Sequence, residues 1–85
     1  MVDFPHVIAA RQTHAFVLEV SFSDGVTRLV DFTSYIQRGG VFAPLADPAF
    51  FERFFIDLNT VCWPNGADVA PERLYEIGVA HNAAA

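Results

Sequence analysis

The chain has 85 residues, 53% of them hydrophobic, with nine Phe and only 18% charged, a composition that excludes intrinsic disorder. Area scaling gives roughly 5,000 Å² exposed when folded against roughly 13,600 Å² when extended, which supports one modest core and not two. A single domain over residues 1–85 is therefore expected. Ten acids face five Arg and no Lys, for a net charge of −5, and Arg11, Arg28, Arg38, Arg53 and Arg73 are scattered. Without a basic stripe, direct nucleic-acid binding is not expected. The apolar runs are too short for a membrane span, and Met1-Val2-Asp3-Phe4-Pro5 has neither the basic region nor the apolar core of a signal peptide. The expectation is a protein of the cytoplasm that does not engage membranes.

From His6 to Gln12 the chain has weak strand character. Phe16, Leu18, Val20 and Phe22 then alternate with Val17, Glu19 and Ser21, the period of two that marks a half-buried strand. Ser23-Asp24-Gly25 follows at once, and Asp-Gly suits the positive backbone angles of a tight hairpin turn. Val26 to Phe32 is the predicted returning strand, with Val26, Val30 and Phe32 sharing a face with Arg28.

Thr33 or Ser34 is placed to cap a short helical turn through Tyr35, Ile36 and Gln37, which Gly39-Gly40 would stop. Phe42 and Leu45 are expected as apolar anchors in the loop that follows. Asp47-Pro48 is a helix start: the Asp oxygen caps free amides, and Pro at the first helical position has no N–H to waste. The predicted helix covers Pro48 to about Arg53. Phe54 to Asp57 then reads as a strand, Leu58-Asn59-Thr60 as a turn, and Val61 to Trp63 as a second short strand. Trp63-Pro64-Asn65-Gly66 is a turn, because Pro presets one central angle and Asn and Gly tolerate left-handed backbone. Pro71 opens a last helix with Glu72 near its positive end and an apolar stripe of Leu74, Ile77 and Gly78, widened by Tyr75 and Val79. Residues 81–85 have nothing obvious to bury against and are expected to fray. The fold class is α+β: an antiparallel sheet built on the Asp-Gly hairpin, a second short strand pair, and two or three short helices.

Three stretches carry a family resemblance when taken together. They are Phe22-Ser23-Asp24-Gly25 leading to Val30-Asp31-Phe32, then Phe42 to Phe51, then Trp63-Pro64-Asn65-Gly66-Ala67-Asp68 followed by Pro71-Glu72-Arg73-Leu74-Tyr75. In this order and spacing, from about Val7 to Val79, the sequence resembles the small bacterial family known as domain of unknown function 2442. The resemblance implies a compact α+β domain with an antiparallel sheet. It also implies that similar domains occur alone, beside a second small protein in an arrangement of the toxin and antitoxin kind, or joined to a helix-turn-helix domain. As a stand-alone form, this chain is expected to be a protein-binding partner, antitoxin-like or regulatory, rather than a complete transcription regulator.

Trp63, Asn65 and Asp68, with Asp57 and Asn59 just upstream, offer an aromatic ring and oxygen ligands for a small molecule or a hard cation. Their spacing matches no calcium loop, and the structural reading makes Asn65 and Gly66 the turn and Trp63 a core residue. His6, His14 and His81 stand at no metal-ligand spacing, so neither a metal nor another cofactor is expected. Cys62, between Val61 and Trp63, reads as a buried thiol rather than a nucleophile. Arg38-Gly39-Gly40 lacks the glycine spacing and Lys of a nucleotide loop and reads as a helix stop. With no nucleophile, base and oxyanion stabiliser in one place, no enzyme activity is expected. Phe50, Phe51, Phe54 and Phe55 form two consecutive pairs, and neighbours in sequence do not both point inward from one element. That mismatch motivates an aromatic surface for a protein partner or for self-association.

Overall fold

The computed structural model describes residues 4–80; the expected fraying of 81–85 lies outside them. Strands β1 (Val7–His14), β2 (Val17–Phe22) and β3 (Thr27–Asp31) form a continuous antiparallel meander, and β6 (Val79–Ala80) closes its far edge in the order β1-β2-β3-β6. Strands β4 (Phe55–Asp57) and β5 (Thr60–Cys62) pair antiparallel in a separate two-stranded sheet. Three short helices, α1 (Thr33–Arg38), α2 (Pro48–Phe51) and α3 (Pro71–Ile77), complete the α+β fold together with a 3₁₀ segment at Gly40–Ala46.

The β2–β3 hairpin follows the alternation in the sequence. Leu18, Val20 and Phe22 are fully buried, and Val30 and Phe32 lie on the same side. Asp24 makes the turn with its own carboxylate, which accepts the Val26 N–H at 3.0 Å, while Gly25 takes φ +90°. On β1 the pairing skips a residue between Val7 and Ala9 and again between Gln12 and His14. Two bulges on an edge strand twist it away from flat pairing with another chain.

At α1 the cap differs from expectation. Thr33 and Ser34 are inside the helix, the N-cap position is Phe32, and Asp31 one residue earlier holds the first turn, its carboxylate accepting the Thr33 N–H at 2.9 Å and the Thr33 hydroxyl at 2.6 Å. Asp31 holds both donors because a carboxylate accepts from two at once, whereas a Thr hydroxyl at the cap would satisfy one. The loop expected around Phe42 and Leu45 is a 3₁₀ segment, with Leu45 fully buried and the Phe42 ring 5.1 Å from that of Tyr35. Asp47 caps α2 as predicted, accepting the Ala49 N–H at 3.0 Å with Pro48 at the first helical position. The helix is shorter than predicted: past Phe51 the bonds tighten to Arg53 N–H to Phe50 O and Phe54 N–H to Phe51 O.

The largest departure is at the C-terminal end of α3. Gly78 and Val79 were assigned to the helical stripe, yet the helix ends at Ile77, Gly78 is extended, and Val79 pairs with Leu29 in β6. A Cβ on Gly78 would lie 2.6 Å from Arg28 Cβ and 2.9 Å from Leu74 O, so only glycine lets the backbone come this close to β3. Having no side chain there, the chain drops onto the open edge of β3 and satisfies its hydrogen bonds.

The core joins the inner face of the large sheet to Trp63, Phe51, Leu45, Leu74, Val61 and Ala67. Its centre is aromatic: the Phe32 ring stands 5.2 Å from Trp63 and 5.9 Å from Phe51, and Phe51 stands 5.3 Å from Phe16. Edge-to-face rings at these distances add to the area that they bury.

Candidate interaction surface

The four phenylalanines singled out in the sequence divide sharply. Phe51 is fully buried and belongs to the core, so its place on a surface is corrected; Phe50 and Phe54 are half-buried against that core; Phe55 is 43% exposed. The reason is the chain direction. α2 turns Phe51 into the core and leaves Phe50 at its margin, Phe54 follows the helix partly packed on that core, and β4 then runs along the outside with all three residues exposed.

Phe55 is not isolated. The exposed large apolar residues among those described are Phe4, Ile8, Val41, Phe55, Ile56, Leu58 and Val79, and five of these seven lie on the β4–β5 hairpin, at the start of β1 or just before it. Leu58, at the hairpin tip, is 81% exposed. The two regions are tied together by the Val7 N–H, which donates to Asn59 O at 2.9 Å. A groove between them is lined by Phe4, His6, Leu58 and Glu72, among others. The tip itself is unusual, since Leu58 and Asn59 both have positive φ, 50° and 69°. Two successive left-handed residues match the twist of a two-residue hairpin turn, but Leu meets a steric cost there that Gly or Asn avoids.

The other face of this hairpin is structural. β5 is buried throughout, and the Thr60 hydroxyl donates to Val69 O. Cys62 is buried as its neighbours implied, and burial, with the Asp68 and Asp57 carboxylates nearby, pushes its thiol pKa above the ordinary 9.0. It is therefore a poor nucleophile at neutral pH.

Trp63, Asn65 and Asp68 do not converge on a ligand site. Trp63 is 1% exposed, and its indole N–H donates to Phe51 O at 2.9 Å, so its ring is a core element rather than a contact surface. Asn65 uses both ends of its amide, donating to Val41 O at 2.9 Å and accepting from Ala67 N–H at 3.1 Å. Asp68 is exposed and forms a backbone bridge with Cys62. Among the described residues, no three His, Cys, Asp or Glu side chains come together as metal ligands, and no helix is long and apolar enough to cross a membrane.

The fold and surface define a small α+β module whose polar turn residues serve the fold and whose β4–β5 hairpin displays Phe55, Ile56 and Leu58. The chain belongs to the family described as Protein of unknown function (DUF2442), whose profile matches residues 7–80. No curated protein and no solved structure matches it.

Proposed function

We propose that the protein is a non-catalytic interaction module that binds another protein through the outer side of the β4–β5 hairpin, in an antitoxin-like or regulatory role. The observation that carries the reading is the exposed run of Phe55 and Ile56 on β4, which pairs with β5 alone, continued by Leu58 at the hairpin tip, with Phe4 and Ile8 also exposed. Apolar residues gathered on one short hairpin are a feature of binding surfaces, whereas scattered ones are ordinary. The acidic remainder of the chain suits contact with a basic partner.

The test is affinity purification of the tagged protein from its native cells, with mass spectrometry and light scattering on the eluate, in parallel with the Phe55→Asp and Leu58→Asp variants. A stoichiometric partner that the wild type retains and the variants lose supports the reading. Retention by folded variants, or a wild type that elutes alone and monodisperse, overturns it.

A further inference from the structure

The face of the large sheet turned away from the core is not a uniform polar surface. In register, Val17 pairs with Asp31 and Leu29 pairs with Val79, which places Val17, Leu29 and Val79 on one side, opposite Leu18 and Val30. These three, with Ile77 at the end of α3, form the apolar floor of an open groove of about 430 Å³. That volume lies within the range of small-molecule sites. Val17 is only 9% exposed, stands outside the main core cluster and lines the groove.

The walls bring together charges that are far apart in sequence. Two of the chain's five arginines, Arg38 from α1 and Arg73 from α3, line this groove in a protein of net charge −5. Tyr35 stands between them: the Arg38 guanidinium carbon lies 4.9 Å from its ring centroid, and its hydroxyl adjoins Arg73. The ion pairs among the described residues are Arg11–Glu19 and Arg73–Glu76, so Arg38 is stacked and oriented but has no carboxylate partner. The groove also contains one carboxylate, Asp31, which keeps its negative charge and whose Oδ1 accepts from the Thr33 N–H and hydroxyl, so the two arginines outnumber it. A guanidinium stacked on an aromatic ring is preorganised to grip a planar anion through two N–H groups.

We propose that this groove binds a small aliphatic carboxylate, its head group on Arg38 with Arg73 alongside and its hydrocarbon chain over Val17, Leu29 and Val79. The branched aliphatic floor favours an alkyl body, and the Arg38 guanidinium, with no ion-pair partner among the described residues, favours a carboxylate over a neutral head. The site shares no residue with the β4–β5 hairpin, so it stands or falls independently of the protein-binding role.

The test is titration of isotope-labelled protein with octanoate, followed by amide chemical shifts. Saturable shifts centred on Val17, Leu29, Ser34 and Val79, with a Kd of about 1 mM or tighter, are expected. Octanamide, which keeps the chain but not the charge, should bind about tenfold more weakly, as should octanoate to the Arg38→Gln variant. Arg73→Gln should produce a smaller loss, and because both arginines are at the surface, spectra away from the groove should be unchanged. Shifts that do not saturate, that centre elsewhere, or that are the same for octanamide or for Arg38→Gln overturn the proposal.

Discussion

The two hairpins of this protein, β2–β3 and β4–β5, use the same antiparallel pairing for opposite ends. In the first, β2 is flanked on both sides, by β1 and β3, and its inner residues Leu18, Val20 and Phe22 are fully buried. In the second, burial is split by strand: Thr60, Val61 and Cys62 of β5 are all buried, while Phe55, Ile56 and Asp57 of β4 are all exposed. A strand with one face on a core shows a period of two, but a strand buried or exposed on both faces shows none. The first hairpin is therefore built for stability, and the second leaves apolar side chains available at its surface.

This contrast breaks most readily at the rings. Phe22→Ala should destabilise the fold by about 3–5 kcal/mol, whereas Phe55→Ala should change stability by less than about 0.5 kcal/mol, both read from denaturant midpoints. Comparable losses at the two sites would mean that β4 belongs to the core after all. The turns sharpen the contrast through opposite signs. Gly25 has φ +90° and open space around it, so Gly25→Ala brings strain without a clash and should cost about 1 kcal/mol. Leu58 already bears that strain at φ 50°, so Leu58→Gly should leave stability unchanged or raise it by up to about 1 kcal/mol. A marked loss in Leu58→Gly would show that its side chain packs within the chain rather than facing a partner.

The smallest effect is electrostatic. The Asp24 carboxylate in the first turn is held below its ordinary 3.8 by the Val26 N–H and the Tyr75 hydroxyl, the latter donating at 2.8 Å. A carboxylate with a depressed folded-state pKa stabilises the fold above its unfolded value and loses that contribution as pH falls through the folded value. Stability should therefore drop as pH falls below about 4, and the drop should be shallower in Asp24→Asn, as followed by thermal melts across pH 2–6. An unchanged acid slope would mean that the turn does not depend on this charge.

Much of the fold was legible where a few neighbouring residues decide the outcome. The Asp24-Gly25 turn, the Asp47-Pro48 helix start and the alternation from Leu18 to Phe22 all act within one turn of chain. Legibility failed where the deciding partner was distant. Val79 continues the apolar spacing of α3 by sequence, but Arg28 crowds the backbone at Gly78 and β3 offers an open edge. Two consecutive Phe pairs are visible in the sequence, but which member turns inward depends on what α2 packs against, and Phe51 is the one in the core. For Trp63 both a core role and a ligand contact are open in the sequence, because a single Trp beside polar turn residues looks the same whether its N–H faces a ligand or a backbone carbonyl, and the structure gives the core role.

The sequence alone determined the α+β class, the first hairpin and the cap of α2, because hydrophobic period, turn chemistry and capping are local properties, and the order of its three characteristic stretches carried the family. Only the tertiary structure decided that β4 lies on the outside, that a sixth strand completes the sheet, and that Arg38 and Arg73 share one groove. Those outcomes rest on which distant surfaces meet and exclude water, a choice made by the packing of the whole chain and recorded in no single stretch of it.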